Sequence, residues 1–63
     1  MTYEYIIYNE HYYVPRAPSL CEARERSETF FEEFGSEPLI VGEHEWKLLT
    51  SRAEVLTLEV SDV

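Results

Sequence analysis

Hydrophobic and polar positions divide the chain into segments of different period. Over residues 2–8, Thr-Tyr-Glu-Tyr-Ile-Ile-Tyr, aromatic and β-branched types dominate, which predicts a strand. Its alternation sets Tyr3, Tyr5 and Ile7 on one face and Glu4, Ile6 and Tyr8 on the other. Asn9-Glu10 suits a two-residue turn because Asn tolerates positive φ, and His11-Tyr12-Tyr13-Val14 then returns as a second strand. Pro15 and Pro18 end the pairing, since neither carries a backbone N–H.

The period then changes to that of a helix. Ser19 and Glu22 have the spacing of a capping box, and Leu20, Ala23, Ser27, Phe30, Phe31 and Phe34 recur at intervals of three and four. These six positions cover an arc about 100° wide at 100° per residue, and Gly35 supplies the stop. The spacing predicts a helix over 20–34 whose aromatic end packs on the tyrosine-bearing sheet.

Pro38-Leu39-Ile40-Val41 reads as a short strand ending at Gly42, and residues 54–60 as another, with Leu56, Leu58 and Val60 on one face. The segment between fits two periods. Trp46, Leu48 and Thr50 alternate as a strand, whereas Trp46, Leu49, Ala53 and Leu56 fit a helical stripe. Taken as a strand, it turns back at Ser51-Arg52 and the order becomes ββαβββ, with a helical segment 43–53 as the alternative. Either way the expected class is α+β: one principal helix across a small antiparallel sheet of four or five strands, in a single domain over residues 1–63.

Composition narrows the chemistry. The chain has 63 residues, 44% of them apolar, which is too hydrophobic for a disordered tail. No apolar run approaches the ~18 residues of a membrane span, and the Tyr- and Glu-containing N-terminus does not have the pattern of a signal peptide. The single Cys21 offers no intramolecular disulfide and no cysteine-based zinc site, so a reducing, cytoplasmic setting is expected. In the first helical turn the dipole favours its thiolate, but Glu22 and Glu25 oppose that effect.

Catalytic parts are few: two His, two Gly and one Lys, without a phosphate-binding loop or a nucleophile elbow. His44-Glu45 is followed at position 48 by Leu and so misses the HExxH pattern. Glu43-His44-Glu45 with His11 lacks the ligand spacing of known metal sites, because on an extended segment His44 would point away from both glutamates. Pro15-Arg16-Ala17-Pro18 matches PxxP but serves equally as a stiff connector that places Ser19. The expectation is therefore a non-catalytic protein with neither cofactor nor metal.

Charge provides the functional expectation. Thirteen acidic residues against five basic give a net charge of −8, which excludes direct phosphate neutralisation of nucleic acid. Six acids against two bases fall within residues 20–37, so the acidity concentrates on the helix and its exit. Glu25, Glu28 and Glu32 lie opposite the apolar stripe, with Glu33 in the last turn and Glu37 just beyond. Glu28 and Glu32 repel as a like-charge i,i+4 pair, and Glu32 and Glu33 occupy the turn where the macrodipole favours cations. Carboxylates spaced about 4.5–6 Å along a helix axis can stand in for a line of phosphates.

In size and charge the chain resembles small phage inhibitors of host defence, such as anti-CRISPR and anti-restriction proteins. This resemblance is compositional and carries over no residues. It implies an inhibitor that occupies the cationic groove of a basic, nucleic-acid-binding protein; the position of the acids on the helix, not the resemblance, assigns Glu25, Glu28, Glu32, Glu33 and Glu37 to that contact. A solubilising acidic surface is the plainer account of the same residues. The competing class is a small structural or assembly subunit. Five tyrosines fall within residues 3–13, and one helix covers only one face of a sheet. Homodimerisation through the face of Tyr3 and Tyr5, or through the free edge of the first strand, would cover the other face.

Overall fold

The structure, a computed structural model, describes residues 1–60. Strands β1 (Thr2–Tyr8) and β2 (His11–Pro15) form a hairpin in which Tyr8 faces His11. Asn9 and Glu10 both adopt positive φ, at 50° and 66°, as a type I′ turn requires. Helix α1 (Leu20–Phe34) follows. Ser19 Oγ accepts a hydrogen bond from the Glu22 N–H at 3.2 Å, while the Glu22 carboxylate turns to Arg26 and does not complete the capping box. Gly35 closes α1 at φ 75°, donating its N–H to the Phe31 carbonyl at 2.9 Å.

Strand β3 (Leu39–Val41), helix α2 (Glu43–Thr50) and strand β4 (Leu56–Glu59) complete the described chain. The sheet has four strands in the order β3-β2-β1-β4. It is mixed, unlike the expected antiparallel sheet: β1 pairs antiparallel with β2 and β4, but β2 and β3 run parallel. The reason lies in the connection, since α1 carries the chain back to the starting end before β3 begins.

Over residues 43–53 the helical alternative holds and the strand reading does not: α2 occupies Glu43–Thr50, and Ser51 caps this helix instead of turning a hairpin. Glu43 and Glu45 sit in its first turn, where the helix dipole favours acids, and Glu43 pairs with Lys47 at 3.9 Å. What decides the matter is the sheet. Ile6 points to the face opposite Tyr3 and Tyr5, yet it is completely buried, and α2 packs against β1 and β2 to cover it.

On the α1 face, Tyr3, Val14 and Phe30 form the buried centre, with Tyr5, Phe34, Leu58 and Val60 against it. The aromatic rings interlock: Tyr5 meets the Phe30 ring edge-on at 5.4 Å, and Tyr12 stacks on Phe34 at 4.6 Å. The helix thus rests on the tyrosine-bearing sheet through its aromatic end, as its spacing predicts. The sheet is sandwiched, with α1 across one face and α2 over part of the other.

Candidate partner-binding surface

The orientation of α1 determines which residues reach solvent, and it differs from the expected one. The apolar stripe predicts Leu20 and Phe31 in the core, yet they are 76% and 55% exposed, while Phe30 is fully buried. Adjacent helical residues point about 100° apart, so Phe30 and Phe31 cannot both face the sheet squarely. Arg26 takes the place that hydropathy assigns to its neighbours. Its guanidinium lies over the Tyr3 ring, 5.2 Å from the centroid. Nη1 donates to the Pro15 carbonyl at 3.4 Å, and Nη2 approaches the Glu22 carboxylate at 3.7 Å. Relative to the stripe, the inward face is rotated by about 50°.

The ridge glutamates all reach water. Glu25, Glu28 and Glu32 are exposed along the outer face of α1, and Glu33 and Glu37 are exposed as well. Glu33 stands about 100° around the helix from Glu32 and is separated from the ridge. Glu37 is brought in, lining one groove with Ser27, Glu28, Phe31 and Glu32. On the other flank Glu25, Glu28 and Glu32 line a second depression with Met1 and Val60. Glu28 and Glu32 are therefore the crest between two hollows, with Glu25 to one side and Glu37 to the other.

Among the described residues none of these five carboxylates forms an ion pair; the cations that pair do so elsewhere, Arg26 with Glu22 and Lys47 with Glu43. No basic residue occupies the last turn of α1 to offset Glu32 and Glu33. The arrangement is a line of solvated, uncompensated negative charge with an exposed aromatic ring beside it. The apolar stripe does not mark Phe31 as a surface residue, although the Phe30-Phe31 dipeptide on a helix is itself the signal that one ring leaves the core.

The tyrosine face is placed otherwise than expected. Tyr3 is buried under α1, and Tyr5 is half-buried among Phe30, Phe34 and Tyr12. Nor is β1 an edge strand: β4 pairs with it over Thr2–Tyr5 on one side and β2 over Ile6–Tyr8 on the other. On the other face of the sheet, Ile6 is covered by α2 of the same chain. Glu43, His44 and Glu45 occupy successive positions in the first turn of α2, not an extended segment. Among the described residues no three metal-ligating side chains converge. Pro15 and Pro18 line a hollow with Trp46 of α2, and Cys21 is exposed on α1. Compared with protein-family models, curated proteins and solved structures, the chain matches none.

Proposed function

We propose that this protein is a non-catalytic interaction protein whose α1 ridge engages a basic, nucleic-acid-binding protein and blocks its nucleic-acid groove. One observation carries the proposal: Glu25, Glu28 and Glu32 stand exposed in a row on the outer face of a single helix, without an ion-pair partner among the described residues and with Glu37 beside them. Along the axis they are about 4.5 and 6 Å apart. That supplies a rigid succession of negative charges to a surface built to receive phosphates. A flexible acidic tail would have to be ordered on binding, whereas a helix presents the same charges without that cost.

Exposed carboxylates steer association and are screened over about 8–10 Å near physiological ionic strength. Association with the basic partner is accordingly fast and steeply salt-dependent. The test compares wild type with the Glu25→Lys, Glu28→Lys, Glu32→Lys triple variant. Each is titrated into a complex of a fluorescent nucleic-acid duplex with a basic protein that wild type retains from a cell lysate, at low and at physiological salt. Wild type should displace the duplex and the triple variant should not, with a melting temperature equal to or above that of wild type. Equal displacement by both proteins would reduce the ridge to solvated surface.

A further inference from the structure

The side chains that leave the core on rotation of α1 do not scatter. Ile40 of β3 pairs with Val14, whose side chain packs under Phe30, so Ile40 lies on the α1 side of the sheet. Because β3 is an edge strand, Ile40 stays 48% exposed. Between it and the helix runs a groove bearing Leu20, Ala23 and Ser27, and Phe31 lines its continuation. Leu20, Ser27 and Phe31 are spaced i, i+7, i+11, a nearly straight line about 16 Å long. The rim is anionic: Glu28 and Glu37 border both stretches and Glu32 the second, against the single cation Arg24.

An apolar strip with this rim selects its occupant. A second copy docked on this groove about a two-fold axis would bring its acidic rim of Glu28, Glu32 and Glu37 against the same rim, which opposes pairing. Nucleic acid and anionic lipid surfaces meet the same repulsion. A polypeptide with large apolar residues flanked by Lys or Arg satisfies both parts of the surface. A straight strip three helical turns long also matches the i, i+4, i+7, i+11 anchors of a helix laid in a groove.

We infer that this groove docks a cationic amphipathic helix, its apolar face on Leu20, Phe31 and Ile40 and its basic flanks on Glu28, Glu32 and Glu37. The inference rests on the ridge proposal and names the chemistry of the partner segment. It adds that apolar contact, not charge, sets the lifetime of the complex, because rim charges act chiefly on the rate of association.

The experiment uses two synthetic probes of equal charge. One is a 14-residue peptide with Leu at i, i+4, i+7 and i+11 and Lys at the other ten positions, and the other is a ten-residue oligolysine. Affinity is measured calorimetrically and the site by amide chemical shifts. The Leu/Lys peptide should bind at least tenfold tighter than oligolysine, with shifts centred on Ser27, Phe31, Glu37 and Ile40. The Phe31→Ser, Ile40→Ser double variant, both sites being solvent-exposed, should remove that tenfold advantage. It should leave oligolysine binding within twofold and the far-ultraviolet circular dichroism unchanged. Leu48→Ser on α2 should alter neither affinity. Undiminished peptide affinity in the double variant, or shifts centred on Leu48, would overturn the groove while leaving the ridge proposal to its displacement assay. Failure of both probes to bind at low salt would overturn both.

Discussion

Arg26 offers the sharpest test of how α1 is seated. Its side chain is only 19% exposed. The guanidinium lies 5.2 Å from the Tyr3 ring centroid, an interaction of about 0.5–2 kcal/mol. The helix pair with Glu22 adds about 0.3–0.5 kcal/mol, and the hydrogen bond to Pro15, long at 3.4 Å, adds at most about 1.5 kcal/mol. Against these stands the Nε atom, buried without a partner, at a cost of about 1–3 kcal/mol. The polar contributions therefore nearly cancel. What remains is the aliphatic stem packed under the helix, of which Ala would keep Cβ and lose two methylenes at about 0.8 kcal/mol each. Arg26→Met keeps the length of that stem and should unfold in urea within about 0.5 kcal/mol of wild type, whereas Arg26→Ala should lose about 1.5–2 kcal/mol. For a domain of this length the total stability is roughly 3–9 kcal/mol, so the two outcomes are well separated at constant m. If Met proves as costly as Ala, the guanidinium itself holds α1 and the account of stem packing fails.

Other perturbations follow from single backbone or charge features. Glu10→Gly should raise stability by about 0.5–1 kcal/mol in urea melts, because a non-glycine residue is held at φ 66° in the hairpin turn. Gly35→Ala should cost about 1 kcal/mol by the same assay, wholly from its φ of 75°, since an added Cβ would meet nothing within 4 Å. Glu32→Lys should raise the melting temperature by a few degrees, relieving repulsion from Glu28 and placing a cation in the last turn. In the displacement assay it should weaken activity. A Glu32→Lys protein that melts lower than wild type would show that Glu32 is compensated by a contact the helix geometry does not supply.

The parts legible in the sequence were those determined by local chemistry. Ser19 and Gly35 mark α1 to its terminal residues, and Asn9 marks the hairpin, because caps and turns depend on a few neighbouring backbone groups. The parts that escaped depend on distant packing. Trp46 and its neighbours satisfy strand and helix periods alike, and only the need to cover Ile6 on the far side of the sheet decides for α2. The parallel β3 follows from the return path through α1, which hydropathy does not encode. Arg26 misled for a different reason. A hydropathy pattern gives arginine a single value, although its stem and its head behave oppositely, so the apolar stripe runs through Leu20 and Phe31 instead. The exposed glutamates were legible, because acids on an amphipathic helix have nowhere else to go. Their apolar neighbours were not.

The exposure of Phe31 and the proposed binding surface have one origin. A helix with consecutive phenylalanines can bury one ring beneath it and must lift the other toward its flank, and here Phe30 goes down while Phe31 emerges beside Glu28 and Glu32. The acids on that flank are also placed where they are least comfortable. Repulsion between Glu28 and Glu32, with Glu32 and Glu33 at the negative end of the helix dipole, costs about 1–2.5 kcal/mol in total. The same glutamates in the first turn of α1 would keep the protein just as soluble and stabilise the helix instead. Solubility alone therefore accounts for their number but not for their position. A cationic partner seated over Glu28, Glu32 and Glu37 removes the repulsion as it binds, so folding and binding are coupled in sign. Saturating Leu/Lys peptide should raise the melting temperature, and by linkage about 2.7 kcal/mol of stabilisation is available at a hundredfold excess over Kd. Oligolysine, which relieves the charge without filling the groove, should fall well short of that shift. Equal shifts from the two probes would mean that charge relief alone accounts for the coupling.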